Sequence, residues 1–169
     1  MPANLSSQDL SGNPIRLSSF RGKPVLLTFW STARTNTFPF LSSLNEVQRD
    51  GGNRFVILGI SLDGTRLGVD EEHEHAAHSD GEAHAARIEY SQIRSRVESF
   101  VQERKLRYPV LIDPTGDIGY RYAALDLPAN IIIDPSGTVC RRFIGLRSPQ
   151  AIEAMLAAAE RDASRKRAR

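Results

Sequence analysis

The amino-acid sequence predicts an α/β fold with a mixed central sheet and helices on both faces, and three observations carry that reading. Two nearly continuous apolar runs, residues 25–30 and 55–62, are each followed by a stretch of helical spacing, as strands covered on both faces require. A later apolar run, residues 129–133, is joined by Asp134-Pro135-Ser136-Gly137 to an alternating return segment, the pattern of an antiparallel hairpin. The closing stretch repeats apolar residues at helical spacing. At 169 residues, 40% hydrophobic and 25% charged, the chain fits one domain at 1–160 followed by a basic tail at 161–169.

Residues 5–20 are polar and broken by Gly12-Asn13-Pro14, with Ile15, Leu17 and Phe20 placed for a short hairpin. Val25-Leu26-Leu27-Thr28-Phe29-Trp30 is the first buried strand, ending at the polar segment 31–37. Leu41, Leu44 and Val47 then recur as on one helix face, and Gly51-Gly52 stops the pattern where a helix end favours glycine. The run 55–62 is a second buried strand closed by Asp63-Gly64. Ile93, Val97, Phe100 and Val101 mark a helix reaching about Lys105, with Arg94 and Glu98 as an exposed i,i+4 pair. Residues 108–113 read as a short strand and 117–122 as one or two helical turns. Ser148-Pro149 supplies an N-cap and first-turn pair for a last helix that buries Ile152, Met155, Leu156 and Ala159.

Lysine plus arginine number 22 against 20 acids, a balance that gives no reason to expect a nucleic-acid partner. The apolar runs fall well short of the ~20 residues that span a bilayer, so no membrane span is expected. Met1-Pro2-Ala3-Asn4 has neither the basic flank nor the apolar stretch of a signal peptide, which fits a cytoplasmic chain or an extracytoplasmic one whose export segment has been removed. One cysteine, Cys140, rules out an internal disulfide and a two-thiol redox cycle within these residues. Its place in an alternating return strand predicts a small buried side chain.

Three stretches, taken in order, carry a resemblance. They are Asp9-Leu10-Ser11-Gly12 with Leu17-Ser18-Ser19-Phe20-Arg21-Gly22-Lys23-Pro24, then Val25-Leu26-Leu27-Thr28-Phe29-Trp30-Ser31-Thr32, then Leu127-Pro128-Ala129-Asn130-Ile131-Ile132-Ile133-Asp134-Pro135-Ser136-Gly137. From about Leu10 to Ala158 the chain resembles the thioredoxin-like fold, in the TlpA/ResA and AhpC/TSA branch of redoxins. The family carries Cys-x-x-Cys where this chain has Arg34-Thr35-Asn36-Thr37, so the resemblance implies that both thiols are replaced. Dithiol exchange needs a thiolate and a resolving thiol, and neither arginine nor threonine supplies one. The family's carboxylate after the second cysteine falls at Phe40. Pro128 matches the family's cis proline, which implies that the backbone at Leu127 is open to an extended peptide.

The reading that follows is a redox-inactive member with no catalytic residue. It binds a protein, a peptide or a small anion through Trp30, Arg34, Thr35, Asn36, Thr37, Leu127 and Pro128. A cation at a helix start opposes the macrodipole by about 0.3–1 kcal/mol, so Arg34 suits a bound anion, or else points into water while Thr35 or Thr37 caps the helix. Two alternatives stand beside it: an oxidoreductase of unusual mechanism, through Cys140 with an external thiol, and a metal-binding module.

All four histidines, His73, His75, His78 and His84, lie among acids between Asp70 and His84, in what looks like an insertion at about 65–90 relative to the family. Imidazole and carboxylate are ligands for Zn²⁺, Ni²⁺ or Cu²⁺, but the spacing matches no metal motif, so the expectation is a solvated acidic loop that binds divalent metal weakly. No cofactor is otherwise implied. The basic residues of 161–169 are read as a solubilising helix end.

Overall fold

The computed structural model describes residues 5–65 and 80–167. Two short strands, β1 (Ser6–Gln8) and β2 (Pro14–Arg16), pair antiparallel as the expected hairpin. The main sheet contains β3 (Val25–Trp30), β4 (Val56–Ser61), β5 (Val110–Ile112), β6 (Ala129–Ile133) and β7 (Val139–Ile144), in the order β5-β4-β3-β6-β7. β3 pairs parallel with β4 and antiparallel with β6, which makes the sheet mixed. The helices are α1 (Phe38–Gly51), α2 (Asp80–Glu103), α3 (Asp117–Arg121) and α4 (Pro149–Arg167).

Side chains alternate across β3, and the alternation divides the core in two. Leu26 and Trp30 face a layer formed with Leu44 of α1, Val97 of α2 and Leu156 of α4. Val25, Leu27 and Phe29 face the other layer, which is closed by Ile15 and Leu17 near the hairpin and by Tyr122 after α3. Helices therefore lie on both faces, but the three long ones share one of them. β3 is buried at all six positions, which explains why its sequence lacks polar alternation.

Two expectations need correction. The helix placed at Ile93 begins at Asp80, so part of the supposed 65–90 insertion is the first turns of α2. Ala83, Ala85 and Ala86 in that stretch are strong helix formers, and that propensity accounts for the difference. The basic stretch read as a helix end lies on α4 over its described part, since the helix continues to Arg167 and buries Ala163 on the way. Cys140 is exposed. The β6–β7 register steps from Ile132↔Arg141 to Ile133↔Val139, leaving Cys140 at a bulge on the sheet's edge strand, with Sγ 3.4 Å from the Ile132 carbonyl. A bulge breaks the two-residue period from which burial was inferred.

The local pairs follow sequence closely. The Ser148 hydroxyl accepts from the Ala151 N–H at 3.3 Å, and Arg94 meets Glu98 at 2.8 Å. β5 closes at Asp113, a buried carboxylate that accepts from the Gly119 N–H at 2.8 Å. Burial raises its pKa above the ordinary 3.8, against the lowering effect of the Gly119 and neighbouring N–H groups. A raised folded-state pKa means that the native state holds this proton longer than the unfolded chain, so stability falls as pH rises from below 3.8 through the folded value. Asp113→Asn keeps an acceptor for Gly119 and removes the ionisation. The variant should gain stability relative to the parent between pH 3.5 and pH 7, measured by urea unfolding at steps across that range; a constant difference would refute the assignment.

Candidate functional site

β3 and β4 run parallel and end together at Trp30 and Ser61, and β6 begins beside them because Phe29 is opposite Ala129. That register brings three segments to one end of the sheet: residues 31–37 after β3, Leu62-Asp63-Gly64 after β4, and Leu127-Pro128 before β6. Open sheets place ligands at such an end, beyond the carboxyl termini of parallel strands.

Asp63 organises this end. It is 4% exposed, and its carboxylate accepts from the Thr32 N–H at 3.0 and 3.2 Å, the Ser31 hydroxyl at 3.3 Å, the Ser61 hydroxyl at 2.6 Å and the Thr32 hydroxyl. Its own N–H donates to the Ser61 hydroxyl at 3.2 Å. With this many donors the hydrogen-bonding capacity of the buried carboxylate is met from the two strand ends. The sequence reading took Asp63-Gly64 as a strand-closing turn; the signal it passed over was the set of hydroxyl residues at both strand ends, Ser31-Thr32 and Ser61.

Beyond Thr32 the chain turns, with the Arg34 N–H donating to the Ser31 carbonyl at 3.0 Å. A 3-10 turn over Thr35–Thr37 leads into α1, which has a proline in its first turn. Arg34, Thr35 and Asn36 are exposed and form the rim. Thr37 is fully buried, so it does not join them. Neither Thr35 nor Thr37 caps α1 through its side chain. Thr37 has φ −87° and ψ −14°, already helical, and its hydroxyl donates back to the Arg34 carbonyl at 2.7 Å. A residue in the preceding turn cannot take the extended backbone of an N-cap.

Trp30 also leaves the candidate set. It is fully buried, with its ring 4.9 Å from that of Phe100. Phe100 meets Phe38 at 4.7 Å, and the Arg104 guanidinium lies 4.8 Å over Phe38, so a ring column anchors the start of α1 to the end of α2. The Leu127–Pro128 peptide bond is cis. Pro128 is buried and its carbonyl accepts from the Gly145 N–H at 2.9 Å, while Leu127 is half-buried and has no backbone partner among the described residues. The structure thus gathers Arg34, Thr35, Asn36, Leu127 and Pro128 at one end of the sheet.

His73, His75 and His78 lie outside the described residues, and His84 falls in the first turns of α2. Among the described residues no group of three histidines, cysteines or acids is arranged to hold a metal ion. None of the helices there is long and apolar enough to cross a membrane.

Comparison with known proteins agrees with this architecture. Thiol-disulfide oxidoreductase ResA of Bacillus thuringiensis subsp. konkukian is 26% identical over 156 residues, covering 90% of this chain and 73% of the relative. A thioredoxin-family thiol:disulfide interchange protein from Chlorobium tepidum superposes with TM-score 0.69 at 18% identity, covering 95% of this chain and 96% of that one. A secreted Mycobacterium tuberculosis disulfide oxidoreductase homologous to E. coli DsbE superposes with TM-score 0.66 at 23% identity, covering 92% and 96%. These structures establish a thioredoxin-like fold. The AhpC/TSA family model matches residues 2–142, and the chain belongs to the AhpC/TSA family.

Proposed function

We propose that this protein is a redox-inactive member of its family, which binds an extended peptide segment or a small anion at the end of the sheet where its relatives exchange disulfides. The observation that carries the reading is the identity of residues 34–37. Arg34 and Thr37 occupy the two thiol positions implied by the resemblance, and the sequence holds no cysteine other than Cys140. Cys140 is on β7, two strands away from β3, and next to the start of β7 rather than its end. Because β7 runs parallel to β3 through the antiparallel β6, Cys140 belongs to the opposite end of the sheet from Thr37.

Two features support binding. Leu127 offers an N–H and a carbonyl to a partner strand, the arrangement used in strand addition. Arg34 adds an exposed guanidinium, which recognises a carboxylate through two parallel hydrogen bonds. Asp63 fixes the turn that presents Arg34, so the rim is held in place before a ligand arrives.

The protein should not accelerate insulin reduction by dithiothreitol above the uncatalysed rate, and a rate comparable to thioredoxin would overturn the proposal. The placement of the site has its own test. The Thr37 N–H donates to the Arg34 carbonyl at 3.1 Å, an i to i+3 turn. Such turns keep the end Cα atoms within about 7 Å, close to the range a disulfide bridges. The double variant Arg34→Cys with Thr37→Cys should form an intramolecular disulfide, detected as loss of two reactive thiols and recovery on reduction. A folded double variant with both new thiols still reactive after oxidation would count against the correspondence. Asp63→Ala should destabilise the fold by about 2–4 kcal/mol in urea unfolding, since several buried donors lose their acceptor together.

A further inference from the structure

A groove of about 760 Å³ lies between the first half of β7 and the last turns of α4. Its position follows from the register. Val139 is opposite Ile133, and Ile133 is opposite Val25 at the start of β3, so the groove sits at the end of the sheet remote from Arg34 and Pro128. One wall is β7 at its bulge. The other is a helix face of α4 spaced by three or four residues, Met155, Ala158, Asp162 and Arg165.

The walls differ in chemistry along their length. Val139, Met155, Ala158 and Ala159 give the groove apolar lining, and Arg141 and Arg165 line it from its two walls. Both arginines are exposed, and neither takes part in an ion pair or a side-chain hydrogen bond among the described residues. That distinguishes them from Arg142, one residue on, whose guanidinium donates to the Tyr122 carbonyl at 2.6 Å. The acids do not cancel them. Asp134 is 5% exposed, and its carboxylate accepts from the N–H groups of Ser136 at 2.9 Å and Thr138 at 3.0 Å within the hairpin turn. Asp162 alone among the lining acids is exposed. Two uncommitted arginines and one exposed carboxylate therefore share a groove with apolar lining. The volume lies within the roughly 300–1,000 Å³ of small-molecule sites.

We propose that this groove binds an amphipathic monocarboxylate, its head held by Arg141 and Arg165 and its apolar tail laid along Val139, Met155 and Ala158. The site is separate from the Arg34 rim, so it stands or falls without the function proposed above.

Cys140 lines the groove and is the one cysteine of the chain, which gives a direct readout. Decanoate, below the concentration at which it forms micelles, should slow alkylation of Cys140 by neutral iodoacetamide and should bind by calorimetry with one site per chain. Arg141→Gln and Arg165→Gln should each weaken binding about two- to fivefold, the scale of an exposed ion pair. Asp162→Asn should strengthen it, because a carboxylate that opposes the head is gone. Acetate, with the head and no tail, should give no protection, and decyltrimethylammonium, with the tail and the opposite charge, should bind more weakly than decanoate. The assignment is overturned if decanoate neither binds nor protects Cys140, if it binds with affinity unchanged in all three variants, or if the cationic amphiphile binds as well. Amide shifts induced by decanoate that centre on Leu127 and Ile144 instead of Val139 and Ala158 would also refute it.

Discussion

The Asp63 carboxylate accepts hydrogen bonds from the Thr32 peptide and from the hydroxyls of Ser31, Thr32 and Ser61, and in doing so it ties the end of β3 to the end of β4. Parallel strands share a register along their length, but nothing in a ladder fixes where the chain goes after the last pair. Here one buried side chain does so. It sets the departure of residues 31–37, which sets the start of α1, which the ring column from Trp30 to Arg104 then holds against α2. The exposed rim at Arg34, Thr35 and Asn36 is the outer surface of that arrangement. Removing the acceptor would leave several buried donors without partners, a larger loss than that of a single surface hydrogen bond.

This dependence separates scaffold from chemistry in the family. A thioredoxin-like sheet delivers a helix start and a neighbouring X-Pro loop to one place whatever residues fill the first turn. In this chain the delivered residues are a guanidinium, two small polar side chains and an open peptide edge at Leu127. None of those groups is a thiol. The buried Thr37 and the core position of Trp30 leave fewer exposed residues at this end of the sheet than the sequence pattern suggests.

Much of the architecture was legible in the sequence because burial on both faces leaves a direct trace. β3, with all six positions buried, could not be other than an apolar run, and Leu41, Leu44 and Val47 recur because one face of α1 meets the sheet. What the sequence concealed has physical causes too. The early start of α2 was hidden because the segment has little apolar patterning to mark a helix face, and only the helix propensity of its alanines signals it. The exposure of Cys140 was hidden because a bulge shifts the two-residue period partway along β7, and periodicity cannot report its own interruption. The role of Asp63 depends on three hydroxyl residues that are distant in sequence and adjacent in space.

The two margins of the sheet are finished differently. Along β5 the N-terminal segment lies over the outer side, with Asp9 bridged to Leu111 and the Leu10 N–H donating to the Val110 carbonyl at 2.9 Å. Along β7 no further strand pairs among the described residues, and the margin carries a bulge and the adjacent charges of Arg141 and Arg142. An open row of peptide groups is a template on which another chain can crystallise into a continuous ribbon. One margin is capped by the protein's own chain and the other is bent and cationic, so neither offers a flat, neutral start for such growth. The bulge that brought Cys140 to the surface thereby also interrupts the straight run of peptide groups that such pairing needs.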